Sequence, residues 1–143
     1  ASSKEDIGKE YDLKKPSQVF AGLKKNPSLV LQKNVLHNIS PSAFEFHRDF
    51  PKVFNIDASD ETLRALFRSR LIHAVIPDMV LVEGVVQHDQ YHRFTVDAHL
   101  MQAVRRVHKI YNKPSLLGKL GKLAKASTKN DWQILLWTAL YHD

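Results

Sequence analysis

TVDAHLMQAVRRVHKIY, residues 95–111, decides the fold class. Val96, Leu100, Val104, Val107 and Tyr111 recur at helical spacing, which makes the stretch an amphipathic helix. Asn112-Lys113-Pro114 ends it, because a proline pushes the preceding residue out of the helical region. A second stretch, DWQILLWTALYHD (131–143), has Asp131 as its expected cap and carries Trp132, Leu135, Leu136, Ala139 and Leu140. Between the two, Leu116, Leu117, Leu120 and Leu123 form an apolar stripe, and Lys119, Lys122 and Lys125 face away from it. That pattern predicts a basic amphipathic helix, interrupted by Gly118 and Gly121, whose leucines pack on their own domain.

Toward the N-terminus the signals are shorter. Ser59-Asp60-Glu61-Thr62 opens a helix with Leu63, Leu66 and Phe67. Ser40-Pro41 starts one with Phe44, Phe46 and Phe50, bounded by Pro51. Ser28 caps another, and Pro16-Ser17 opens a short helix with Val19, Phe20 and Leu23 that stops near Asn26-Pro27. The apolar runs within 71–86 are too short for periodicity to separate strand from buried helix. No alternating partner strands flank them, so helix and loop are expected and the whole reads as an all-α helical bundle. Residues 1–15 read as a polar, poorly ordered lead-in, 16–78 as a helical linker region and 79–143 as the chemistry-bearing segment.

With 143 residues the chain is long enough for one real core, and with no cysteine it excludes thiol catalysis, disulfides and cysteine-ligated zinc. No apolar run approaches the roughly 20 residues that span a bilayer, and no signal peptide opens the chain, so a cytoplasmic, membrane-free protein is expected. The chain starts at Ala1 and stops directly after an apolar helical run, which reads as a piece of a longer protein. Lys and Arg outnumber Asp and Glu by 21 to 15. Eight of the basic residues (Arg105, Arg106, Lys109, Lys113, Lys119, Lys122, Lys125, Lys129) fall between 100 and 130, where there is no acid. Such a patch either attracts an anionic partner or simply solvates a face, and no nucleic-acid-binding motif accompanies it.

Phosphate-binding glycine loops, a GxSxG elbow and HExxH are all missing. Histidine stands out instead: His88, His92 and His99 lie close together, and His142-Asp143 stands at the end. Imidazole and carboxylate together suit a divalent metal such as zinc, iron, manganese or magnesium. By helical spacing His99 points inward, as do His142 (beside Leu135 and Ala139) and Asp143 (beside Leu136 and Leu140). A buried aspartate beside a buried histidine is costly unless paired or metal-bound, so the three are expected to meet across two packed helices.

The run QHDQYHRFTVDAH (87–99), with ALYHD at 139–143, resembles the HD metal-dependent phosphohydrolase superfamily. More narrowly, it is similar to the HD region of the bifunctional uridylyltransferase/uridylyl-removing enzymes that modify PII nitrogen-signalling proteins. The resemblance implies that 79–143 is the N-terminal part of an HD domain, an incomplete HD-domain-like bundle, with His99, His142 and Asp143 as metal ligands. It also implies catalytic duty for His92, Asp97 and Asp143, places His88 near the pocket, and makes the substrate a uridylyl–tyrosine phosphodiester on a PII-type partner. Phe94 stands where the family has tyrosine, and Ala98 stands where it has a glutamate that would close a capping box. The family's later histidine and aspartate ligands would lie past Asp143, so this chain by itself is expected to bind metal weakly and to hydrolyse little. The alternative is a non-catalytic, HD-derived module that binds a partner through its basic surface.

Overall fold

The computed structural model describes residues 16–25, 47–86 and 93–143, and these are all-α. They divide between two compact units, one drawn from 1–54 and 61–78, the other from 55–60 and 79–143. The helix expected after Ser28 falls outside the described residues, as does the one expected after Ser40 up to residue 46; 47–49 are helical.

The first unit contains α1 (Pro16–Lys25), the 3-10 turn Phe50–Lys52, most of α2 (Asp60–Arg68) and α3 (Leu71–Val75). Its core is aromatic at one end. The Phe50 ring stacks on Phe54 at 5.1 Å and meets the edge of Phe20 at 6.4 Å. The α-helical residues 47–49 end just before Pro51, which lies inside the 3-10 turn, where an early helical position needs no N–H from it. Arg70 links α2 to α3 in a left-handed conformation, φ 63°, while the Ser69 hydroxyl accepts the Leu71 N–H.

The second unit holds α4 (Met79–Val82), α5 (Val96–Asn112), a 3-10 turn (Pro114–Leu120), α6 (Gly121–Ala126) and α7 (Lys129–Tyr141). α5 buries Val96, Leu100 and Val104, four residues apart, and α7 buries Trp132, Leu136, Ala139 and Leu140. The two helices pack side by side and antiparallel. Tyr111 meets Trp132 edge-on at 5.7 Å near one end, and His99 meets His142 at 5.0 Å at the other. Residues 55–60 lash this pair together. Asp60 accepts both arms of the Arg105 guanidinium at 2.8 and 2.9 Å, and Gln133 Oε1 accepts the Ile56 N–H at 2.9 Å. Asp57 accepts the Tyr111 hydroxyl and pairs with Lys129.

Two local expectations need correcting. α7 is capped by Thr128, not Asp131: the Thr128 hydroxyl accepts the Asp131 N–H, and the Asp131 carboxylate accepts the Thr128 N–H at 2.8 Å. This reciprocal box satisfies two orphan donors, where Asp131 as a lone cap would satisfy fewer. The basic stretch is interrupted as expected, but its leucines are not packed on the domain. Gly118, at φ 55°, breaks it, and Leu116, Leu120 and Leu123 stand 49%, 60% and 68% exposed.

Leu136 is fully buried, so Leu136→Ala should lower unfolding free energy by about 2–5 kcal/mol. Thr128→Ala should cost about 1 kcal/mol through the lost cap. Urea denaturation followed by circular dichroism measures both.

Candidate metal centre

Each ligand position follows from a helix end. Thr95 starts α5 in an extended conformation, and its carbonyl accepts the His99 N–H at 2.9 Å, closing the first turn with the His99 ring facing α7. α7 ends at Tyr141, so His142 is its C-cap and Asp143 follows directly. The antiparallel packing brings these two ends together.

His99 Nε2 lies 3.0 Å from His142 Nε2 and 3.8 Å from Asp143 Oδ2. One ligand atom from each of the three residues falls within 4.8 Å of the others. His142 Nδ1 sits 2.8 Å from the Ala139 carbonyl oxygen. A carbonyl only accepts, so that nitrogen carries the proton and His142 Nε2 presents a lone pair. The short Nε2–Nε2 contact then needs His99 Nε2–H as donor. Moving that proton to His99 Nδ1 leaves two imidazole lone pairs and a carboxylate facing one point. A backbone carbonyl fixing the far nitrogen is also how metal-binding histidines are oriented. The donor set therefore fits a divalent cation with nitrogen and oxygen ligands.

The cluster is less buried than the helical spacing predicts. The His99 and Asp143 side chains are 36% and 27% exposed, and His142 is exposed. His142 and Asp143 both stand at the terminus of α7. Desolvation is therefore a weak force here, and geometry brings the groups together.

Asp97 stands apart from the three. Its carboxylate accepts the Gly84 N–H at 3.0 Å, next to the Val96 N–H to Val85 carbonyl bond. It thus ties residues 84–86 to the start of α5. Partial burial pushes its carboxyl up, but hydrogen bonds from the Thr95 hydroxyl and from the Gly84, Ala98 and its own N–H outweigh this and hold it below the usual carboxylate value. His88 and His92 lie outside the described residues.

A groove of about 380 Å³ opens beside the cluster, between His99, Ala103 and Arg106 of α5 and Leu135, Thr138 and His142 of α7. Sequence reading counted Arg105 and Arg106 together as basic patch. One step around the helix separates their duties: Arg105 is committed to Asp60, while Arg106 borders the groove. The signal for Arg106 was its place two turns from His99 on the same face.

Comparison with known proteins bears on this site. The chain is 26% identical to the bifunctional uridylyltransferase/uridylyl-removing enzyme of Psychrobacter sp. (strain PRwf-1) over 115 residues, 78% of this chain and 11% of the relative. It is 31% identical to the same enzyme of Pseudomonas putida (strain F1) over 87 residues, 57% of this chain and 9% of the relative. For Pseudomonas aeruginosa (strain LESB58) the identity is 30% over 82 residues, again 57% and 9%. The chain therefore spans about a tenth of the length of the curated relatives it matches. No family model and no solved structure matches it.

Asp97 has a folded value below 3.8, so its stabilising contribution is present above that pH and is lost as the pH falls through the folded value. Asp97→Asn should lower stability at neutral pH by about 1 kcal/mol or less, the site being largely solvent-screened. The gap between wild type and variant should close as the pH drops below 3.8, which urea unfolding across an acid series would show.

Proposed function

We propose that this chain carries the metal-binding face of an HD-type phosphohydrolase, acting within a longer protein on a uridylyl–tyrosine phosphodiester of a PII-type partner. The observation that carries the reading is the convergence of His99 Nε2, His142 Nε2 and an Asp143 oxygen within 4.8 Å. The similarity to uridylyl-removing enzymes supports the substrate class. A divalent ion held there would polarise a phosphoryl oxygen and make a bound water acidic. His99 and His142 supply neutral nitrogen donors, with the Ala139 carbonyl locking the His142 ring. Asp143 would supply the negative charge and could accept the proton of a water activated there. Asp97 acts from within the first turn of α5 by tying it to the Gly84 N–H, a positioning role. His92 keeps the catalytic role that the resemblance gives it.

Three protein ligands, the number the described residues bring together, would be few for a hard divalent ion. Metal binding by this chain is therefore weak, readily reversed by chelator, and hydrolysis by it alone is slow or absent. Calorimetric titration with Mn²⁺ tests the site. Binding should be removed by His99→Ala with the unfolding free energy unchanged to within about 0.5 kcal/mol, as expected for a surface substitution. Equal Mn²⁺ binding by the variant sinks the reading.

A second reading, a non-catalytic binding module, draws on the exposed Leu116, Leu120 and Leu123 interleaved with Lys119, Lys122 and Lys125. It requires no ion at His99, so the same titration separates the two.

A further inference from the structure

We propose that the groove between α5 and α7 is the subsite for the organic half of the substrate, a flat ring carried on a phosphate, and that Arg106 is its anion-recognising residue. The inference rests on the metal-site reading for its orientation but not for its chemistry.

The groove walls are mainly apolar. Ala103, Val107 and Ile110 contribute from α5, with Leu135 and Ala139 from α7. Leu135, 45% exposed, is a large apolar side chain left open to solvent at this edge. Polar groups enter sparsely, from Gln102, Thr138 and Arg106, with His99 and His142 at the end of the groove nearest the ligand cluster. A pocket of apolar walls with a few convergent polar groups is the usual form of a small-molecule site.

Charge decides the class of ligand. Among the described residues Arg106 is the one lysine or arginine side chain bordering the groove, and no carboxylate borders it. Among the described residues Arg106 has no acidic partner, unlike its neighbour Arg105. Helical side chains lean toward the helix N-terminus, so Arg106 leans toward the His99 end. Its planar guanidinium offers paired donors matched to phosphate oxygens. The groove accordingly favours an anion bearing a ring. A neutral nucleoside meets the same walls and leaves the arginine unused, and inorganic phosphate meets the arginine and leaves the walls unused.

The test is ligand titration of the 143-residue chain by NMR, in EDTA and again with Mn²⁺ replaced by diamagnetic Mg²⁺, using uridine monophosphate, phenyl phosphate, uridine and inorganic phosphate. Uridine monophosphate and phenyl phosphate should both bind in EDTA, shifting groove resonances. Uridine and phosphate should bind at least about tenfold more weakly. Arg106→Ala should weaken both esters about tenfold, with Arg106→Lys recovering only part of the loss. Leu135→Glu, placing a negative charge at an exposed edge, should abolish ester binding without unfolding the chain. Equal affinity for uridine and its monophosphate, no effect of Arg106→Ala, or no ester binding would each overturn the proposal. Phenyl phosphate binding alone supports a general aryl site, and binding of the nucleotide alone makes the ring specificity a nucleobase one. Because ester binding is read in chelator, failure of the metal reading would remove Mn²⁺ binding while leaving this result intact.

Discussion

The antiparallel contact between Val96–Asn112 and Lys129–Tyr141 is the constraint from which the rest of the second unit follows. Val96, Leu100 and Val104 on one helix and Trp132, Leu136, Ala139 and Leu140 on the other are all buried, and burial of such side chains fixes the rotation of each helix about its axis. Rotation and register together leave little freedom at the ends. Tyr111 must meet Trp132, and His99 must meet His142. A slip of one residue along either helix would turn His99 or His142 about 100° out of the cluster, so core packing and cluster geometry are one requirement.

Polar contacts reinforce that register where the core cannot. The bidentate Arg105–Asp60 pair, Gln133 on the Ile56 backbone and the Asp57 contacts with Tyr111 and Lys129 tie residues 55–60 across the two helices. Each is partly exposed and individually weak. Their value lies in acting on the same two helices at three points. The Thr128–Asp131 box fixes where the second helix begins, and with it where His142 and Asp143 end up.

Legibility of this arrangement varied with the length of the signal. The two long helices were readable because four or five apolar residues at a constant period outweigh any local ambiguity: Val96 to Tyr111 is the clearest case. From the same period the sequence placed His99 on the face that meets the second helix. Exposure was misjudged, because periodicity describes a face but not how far a neighbour extends over it. His142 and Asp143 lie at the end of their helix and are exposed there. The Thr128 cap was missed for a related reason: Asp131 is itself a good cap residue, and only the reciprocal bond to Thr128 distinguishes the two assignments. The leucines of 116–123 show the limit of the hydrophobic pattern. A stripe states that a face is apolar, not that the same chain provides its cover, and here Gly118 breaks the helix that the stripe requires. Arg106 shares the His99 face at two turns' spacing, but nothing in the sequence tells that Arg105 is the one of the pair taken up by Asp60.

The central claim is that packing of these helices presents two imidazole lone pairs and a carboxylate to one ion, with the His142 tautomer set by the Ala139 carbonyl. Long-range ¹⁵N–¹H correlation of the histidine rings, with chelator and then with Zn²⁺, tests it most directly. The account predicts that His142 is the Nδ1–H tautomer in chelator, and that Zn²⁺ moves the Nε2 resonances of His99 and His142 together at a single stoichiometry. A His142 ring protonated on Nε2, or a metal that perturbs one ring and leaves the other unchanged, would contradict it.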